Sequence, residues 1–183
     1  MGRSAYSVHV VEPIERTLVV MRHAKAQSYG PTDFERELAP RGLRDAGEAG
    51  SWLAAAGLRA DHALVSAAVR TRQTWERVSG AADWAVEPDL DRGLYAAGPE
   101  TALDLIRLTP EEATTLVVVG HNPTMGSLAY LLDDGEGDTA ATGAIASGTF
   151  PTCALAVFAV SGPWSGLTTG GARLRALRRP DGG

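Results

Sequence analysis

Short, continuous apolar runs alternate with segments of helical spacing along most of the chain. The clearest runs are Leu18–Met21, Ala63–Val65, Thr114–Val119 and Ala154–Val160. Apart from the two threonines that begin the third run, these runs contain no polar residue, which is typical of strands that are buried on both faces of a sheet. A last, more exposed strand is predicted over Ala172–Leu177.

Between these runs, apolar and small residues recur every three or four positions, which predicts helices. The predicted helices are Arg41–Ala56, Val69–Val78, Pro99–Leu108 and Thr124–Leu132. Gly57 stands where a C-terminal cap of the first helix is expected, and Gly80 is expected to close the second. The stretch 133–148 is rich in Gly, Asp, Ala and Thr and predicts a flexible surface loop.

This alternation of strands and helices predicts an α/β fold, a three-layer α/β/α sandwich with a mostly parallel central sheet. The 183 residues suit one domain with a proper core. We expect that domain to span residues 17–177. An N-terminal tail or loose strand, residues 1–16, would precede it, and a C-terminal tail, residues 178–183, would follow it.

Composition argues against several classes of partner and binding site. The net charge of −5 argues against a nucleic-acid surface, because phosphate backbones are bound by clustered Lys and Arg. The single cysteine, Cys153, excludes an internal disulfide and an all-cysteine metal site. No apolar run reaches the roughly 20 residues of a membrane helix, and the N-terminus lacks the pattern of a signal peptide. We therefore predict a cytoplasmic protein without a membrane partner.

Cationic side chains follow three of the predicted strands. Arg22 and His23 end the first, Ser66 ends the second with Arg70 one helical turn later, and His121 follows the third. Because ligands bind at the carboxyl ends of strands in such sheets, we expect these side chains to meet at one edge.

Two arginines and two histidines suit a phosphoryl group. A guanidinium offers a planar fork of N–H donors that matches phosphate oxygens, and a histidine can act as nucleophile or as charge stabiliser. The helix that begins after His121 would add backbone N–H groups and a favourable dipole. Residue type and placement leave open which histidine attacks.

Three motifs occur in a defined order: "MRHAKA" from Met21, "SAAVRTRQT" from Ser66 and "VVVGHNP" from Val117. In these motifs the chain resembles the histidine phosphatase superfamily, which shares its fold with cofactor-dependent phosphoglycerate mutase. The resemblance covers roughly residues 17–160. "ERELAPRGLRDA" from Glu35 and "FPTCALAV" from Phe150 are similar to the small bacterial phosphohistidine phosphatases.

The resemblance implies a phosphoglycerate mutase-like fold and a role for each cationic residue. His23 would be the nucleophile, Arg22 and Arg70 would hold the phosphoryl oxygens, and His121 would stabilise charge on the transferring group. Neither a metal ion nor a cofactor is expected, because arginines and imidazole supply the positive charge. Further candidate contacts to phosphate or substrate are Gln27, Ser28, Arg36, Arg41 and Asn122; for Arg36 and Arg41 a salt-bridged surface role is an equal alternative.

One departure from the family concerns the general acid. The resemblance places a glutamate in the segment "DLDRGLY", where this chain has Arg92, so Asp91 is the candidate acid. An alkoxide leaving group needs a proton, and loss of an acid costs about 10²–10⁴-fold in rate. Phosphohistidine is a better leaving group once its ring is protonated, so the departure favours phosphohistidine as substrate.

The sequence therefore predicts a metal-independent phosphatase that forms a phosphohistidine on His23 and acts on a protein phosphohistidine. One alternative is a phosphomonoesterase that acts on a small phosphorylated metabolite. An alternative of another class is an inactive module that binds a phosphorylated ligand and regulates it. The oligomeric state and the pathway stay open.

Overall fold

The computed structural model describes residues 15–180, and six strands within it form one sheet. The strands are β1 Glu15–Arg22, β2 His62–Ser66, β3 Asp89–Asp91, β4 Thr115–Gly120, β5 Leu155–Ser161 and β6 Ala172–Arg178. Their order across the sheet is β3-β2-β4-β1-β5-β6. The first four in this order are parallel to one another, and β5 is antiparallel to both of its neighbours. The predicted, mostly parallel sheet is confirmed, and the three-residue β3 is an addition.

Five helices pack on this sheet. They are α1 Pro40–Ala55, α2 Val69–Ala82, α3 Pro99–Arg107, α4 Thr124–Leu132 and α5 Thr139–Ala146. Two short 3₁₀ turns cover Gly93–Tyr95 and Trp164–Gly166. The positive φ of 76° at Gly57, which follows the C-cap residue Ala56 of α1, confirms the predicted glycine cap.

The side chains of β1, one of the two middle strands, alternate between two apolar cores. Leu18 and Val20 face the core that contains α3, α4 and α5, whereas Val19 and Met21 face the core that contains α1 and α2. All four are fully buried. Burial on both faces explains why β1 is apolar without alternation, and it confirms the predicted three-layer sandwich.

Helices α1 and α2 approach each other closely at a glycine. A Cβ atom placed on Gly50 of α1 would clash with the main-chain oxygen of Val78 in α2. Gly47, one turn earlier in α1, has open space around the same position. Gly50 is therefore a packing requirement, and Gly47 is not.

The predicted loop over residues 133–148 is wrong in its second half, because residues 139–146 form α5. The carboxylate of Asp138 caps this helix and accepts hydrogen bonds from the main-chain N–H groups of Ala140 and Ala141. Ala141 and Ile145 are buried in the core. A cap and two buried contacts form the helix where composition alone suggests a loop.

Several element ends differ from the prediction. Helix α2 runs past Gly80 to Ala82 and ends at Asp83, which has a left-handed φ of 57°. Strand β1 begins at Glu15 and β6 ends at Arg178, so the sheet extends slightly into both segments predicted as tails. Residues 1–14 of the predicted N-terminal tail lie outside the described residues.

Candidate active site

The strand ends that carry the predicted site lie in one row across the sheet. Gly120 of β4 pairs with Arg22 of β1, and the register of β2 with β4 puts Ser66 at the same level. On its other side Ser66 pairs with Asp91 of β3. Four parallel strands thus end at one edge of the sheet; the sequence predicts this for β1, β2 and β4, and β3 is the fourth.

His23 follows directly on β1 and is held rigidly. Its main-chain N–H donates to Gly120 O at 2.9 Å, and its carbonyl oxygen accepts from the N–H of Cys153 at 3.0 Å. The ring is 8% exposed, and Nδ1 lies 2.7 Å from Ala24 O. Because a carbonyl oxygen only accepts, Nδ1 carries the proton, and the lone pair of His23 is at Nε2.

The pKa of His23 is lowered to about 4. Burial is the main cause, and the charges of Arg70, Arg22 and Arg36 act in the same direction, while the hydrogen bond to Ala24 O acts against them. The imidazole is therefore neutral at pH 7, which is the state that a nucleophile requires.

His121 lies beside His23, with 5.2 Å between the ring centres. Its Nε2 is 2.8 Å from the hydroxyl of Ser66, and Tyr95 packs edge-on against the ring at 5.3 Å. Burial, followed by the neighbouring His23 and Arg70, lowers its pKa to about 3. His121 is therefore also neutral at pH 7.

Two arginines complete the set. Arg22 donates from Nη1 to Phe150 O at 3.1 Å. Arg70, 5% exposed at the start of α2, donates from Nη1 to the carbonyl oxygen of Asp33 at 2.6 Å and from Nη2 to its Oδ2 at 3.1 Å. The structure thus brings together the four residues that the sequence singled out.

Within residues 15–180, five buried side-chain nitrogen atoms lack a hydrogen-bond partner. Three of them belong to this site: Arg22 Nε, Arg70 Nε and His121 Nδ1. A buried donor without an acceptor costs about 1–3 kcal/mol. Three such atoms around one histidine fit a site that is completed by an anion.

Asp33 is a site residue that sequence reasoning missed. Its Oδ2 accepts from the Tyr95 hydroxyl at 2.5 Å and from Arg70, and its Oδ1 accepts from Arg36 Nε at 2.9 Å. These hydrogen bonds, from Tyr95 first and then Arg36, hold the pKa of Asp33 well below its usual range. The signal in the sequence was weak: Asp33 stands three residues before Arg36, in a segment without strand or helix periodicity.

Two of the weaker candidates lie in the walls of the site. Arg36 pairs with Asp33 and donates from Nη1 to the carbonyl oxygen of Gln27 at 2.7 Å. The N–H of Gln27 donates to Glu37 O at 2.8 Å, so both of these bonds use the main chain of Gln27. The amide of Asn122 donates to Phe150 O at 2.8 Å, the same carbonyl that Arg22 contacts.

Other candidates have different surroundings. Ser28 is exposed, and Arg41 forms an ion pair with Asp45 within α1 at 3.5 Å. Asp91 accepts a hydrogen bond from the main-chain N–H of Leu94 at 2.7 Å, which closes the turn after β3. Its assignment as general acid stays a prediction.

The start of α4 differs from the expectation that it offers free N–H groups. The N–H of Met125 donates to His121 O at 2.9 Å, and the N–H of Gly126 donates to the side chain of Asn122 at 3.2 Å. These donors serve the turn itself, so side chains carry more of the anion site than the sequence suggests.

Residues 15–180 contain neither a candidate metal site nor a candidate membrane span. No group of three or more His, Cys, Asp or Glu side chains there is placed to hold a metal ion. No helix there has the length and apolar character to cross a membrane. Cys153 is fully buried, which raises its thiol pKa to about 12.

Comparison with known proteins gives relatives over nearly the whole chain, although no family model matches. An uncharacterized protein of Mycobacterium tuberculosis is 40% identical over 163 residues, which cover 87% of this chain and 99% of that protein. The structure of a SixA protein from Nakamurella multipartitia is 31% identical, covers 93% of this chain and 99% of that one, and superposes with a TM-score of 0.81.

The protein histidine phosphatase SixA, solved in complex with tungstate, is 22% identical over 90% of this chain and 97% of its own, with a TM-score of 0.73. At that identity it shows the shared fold alone. The similarity to the SixA protein of N. multipartitia, over almost the full length of both chains, shows the family. The chain belongs to the SixA group of the histidine phosphatase superfamily, with its phosphoglycerate mutase-like fold.

Proposed function

We propose that this protein is a phosphatase that works through a phosphohistidine on His23, with a protein phosphohistidine as its substrate. The observation that carries the proposal is the set of unpartnered nitrogens, Arg22 Nε, Arg70 Nε and His121 Nδ1, beside a histidine whose Nε2 is free to attack. The resemblance to SixA proteins supports the same chemistry.

In the first step, Nε2 of neutral His23 attacks phosphorus while the bond from phosphorus to the leaving group breaks. Nδ1 keeps its proton throughout, because it donates to Ala24 O. The phosphoryl oxygens receive donors from Arg22 and Arg70, which are positioned before the substrate arrives. In the second step, water attacks the phosphohistidine, phosphate leaves, and the electron pair returns to Nε2 of His23.

His121 serves this reaction as a neutral donor. We assign the Ser66 hydroxyl as the donor in its 2.8 Å contact with Nε2 of His121, which leaves the ring proton on Nδ1, the atom without a partner. A phosphoryl dianion beside this N–H raises the pKa of His121, which adds charge as the transition state develops.

Asp33 and Arg92 both favour a phosphoramidate over an ester as the substrate. Asp33 is ionised at neutral pH and has no proton to donate. Arg92, at the position of the family's glutamate, lies with its guanidinium 5.3 Å from the ring centre of Phe34. A protonated phosphohistidine leaves as neutral imidazole without an external acid, whereas an alkoxide does not.

Trapping the intermediate tests the catalytic proposal. Wild-type protein mixed with a ³²P-labelled phosphohistidine protein and quenched in base should carry an acid-labile label, and His23→Asn should carry none. The control is His62→Asn, which removes a histidine that pairs with Asp89 outside the site and should label like wild type. Equal labelling of all three proteins would refute His23 as the nucleophile.

A substrate comparison tests the choice of leaving group. The rate on a phosphohistidine protein should exceed the rates on sugar, nucleotide and serine phosphates by at least about 100-fold, the contribution of a missing general acid. Equal or faster turnover of a phosphomonoester would favour the small-molecule alternative. Binding without turnover of any of them would favour the inactive module. The cytoplasmic location stays a prediction from the sequence.

A further inference from the structure

Asp33 holds Arg70 by one particular edge of its guanidinium. Nη1 of Arg70 donates to the main-chain oxygen of Asp33 and Nη2 to its carboxylate. A guanidinium has two edges with paired donors, one between the two Nη atoms and one that includes Nε. Asp33 occupies the first edge, and Nε on the second edge is buried without a partner.

The carboxylate of Asp33 is itself anchored from two sides. The Tyr95 hydroxyl donates to Oδ2 at 2.5 Å, and Arg36 donates to Oδ1 through Nε at 2.9 Å and Nη2 at 2.8 Å. The ring of Tyr95 also lies against His121, and the guanidinium carbon of Arg70 is 5.6 Å from its centre. The cluster of Asp33, Arg36 and Tyr95 therefore connects the loop after β1 to Arg70 and to His121.

The loop that carries Asp33 is tied to α2 by main-chain and side-chain bonds. Val69 N–H donates to Phe34 O at 3.1 Å, and Leu38 N–H donates to Oε1 of Gln73 at 2.7 Å. Val69 immediately precedes Arg70, so the loop is hydrogen-bonded to the residue next to the arginine. A carboxylate on such a loop can set the orientation of the guanidinium.

We propose that Asp33 is a positioning residue for Arg70: by binding the Nη edge, it directs the Nε edge toward the phosphoryl oxygens. This inference rests on the proposed function and assigns the role to a residue outside the four cationic ones. The rival role is an internal competitor that takes the place of phosphate. A competitor would occupy the donors that bind phosphate, whereas the Nε edge is left without a partner.

The test uses tungstate binding to the complete chain, measured by calorimetry, together with steady-state kinetics on a phosphohistidine protein. Asp33→Ala should weaken tungstate binding and raise KM by about 10- to 100-fold, the range for one hydrogen bond between charged groups. Asp33→Asn keeps an oxygen that accepts from Arg70 Nη2 and should recover part of the loss. Glu35→Gln, an exposed carboxylate on the same loop bonded to Thr32, removes the same charge and should bind as wild type does.

Tyr95→Phe keeps the ring against His121 but removes the donor to Asp33, and should weaken binding by about three- to tenfold, as expected for one hydrogen bond. Because Tyr95→Phe leaves Asp33 in place, it tests the same cluster even if the Asp33 variants fail to fold. Tighter tungstate binding by Asp33→Ala would show a competitor and overturn the proposal.

Arg70→Ala separates the two proposals. If Arg70→Ala weakens binding but Asp33→Ala does not, the role of Asp33 is overturned and the proposed function stands. If Arg70→Ala binds tungstate as wild type does, the anion site itself is refuted, and the proposed function with it.

Discussion

Protonation of His23 should cost folding free energy between pH 8 and pH 5. Its pKa is about 4 in the folded chain because the ring is buried beside arginines, whereas an unfolded chain has the ordinary value of 6.5. A lowered histidine pKa means that the unfolded chain binds the proton first as pH falls. Stability is therefore unaffected above pH 6.5 and decreases as pH falls from there toward 4.

The size follows from these two values. At pH 5 the unfolded imidazole is mostly protonated and the folded one mostly neutral, which lowers the free energy of unfolding by about 2 kcal/mol. His23→Asn removes this contribution and keeps a donor for Ala24 O. We expect the wild type to lose about 2 kcal/mol more than His23→Asn between pH 8 and pH 5.

Urea unfolding at both pH values, followed by the fluorescence of the four tryptophans, measures the difference. Carboxylates contribute to acid sensitivity as well, but they are the same in both proteins and cancel in the comparison. His62→Asn is the control: His62 lies outside the site, with Nε2 at 3.1 Å from Asp89 Oδ2, so this variant should show the same pH dependence as the wild type. Parallel pH dependence in wild type and His23→Asn would refute a buried, neutral nucleophile.

The same pKa sets the acid limit of catalysis. At pH 5 about 90% of a histidine with a pKa near 4 is neutral, against about 3% for one with a pKa of 6.5. We expect kcat/KM for a substrate with a good leaving group to persist at pH 5. A loss centred near pH 6.5 would contradict the burial argument.

Three further changes test the surroundings of the site. Gly50→Ala should destabilise the fold by about 1–3 kcal/mol, because its methyl group meets a main-chain oxygen of α2, while Gly47→Ala, in open space on the same helix, should stabilise by about 0.5–1 kcal/mol in the same urea assay. Ser66→Ala should lower kcat about tenfold, since it removes the hydrogen bond that sets the proton of His121 on Nδ1; an unchanged kcat would contradict that tautomer. Asp91→Asn should slow poor leaving groups more than good ones, as the predicted role of Asp91 as general acid requires; equal rates on both would leave its carboxylate only the turn that it closes.

The strands and the four cationic residues could be predicted because their causes are local. Burial on both faces requires uninterrupted apolar runs, so β1, β2 and β4 could be predicted from the sequence. Helix α4 has the predicted bounds Thr124–Leu132. Parallel strands in turn bring their ends together. The meeting of Arg22 and His121 follows from topology and needs no knowledge of side-chain contacts.

The remaining features depend on contacts between distant segments. The bond from Arg70 to Asp33 spans 37 residues, and the one from Tyr95 to Asp33 spans 62. Nothing in the loop around Asp33 repeats with a strand or helix period, so a sequence pattern does not distinguish it from a solvated acid. Helix α5 was missed for a related reason, because only Ala141 and Ile145 of it are buried.

The chemistry of the site and its instability have one cause. Burial keeps His23 and His121 neutral and leaves three nitrogens without partners, so the free site is less favourable than a solvated one. A phosphoryl dianion offsets both unfavourable features: its oxygens accept hydrogen bonds from the unpartnered nitrogens, and its charge favours the protonated form of His121. Binding of an oxyanion should therefore stabilise the fold more at pH 5 than at pH 8.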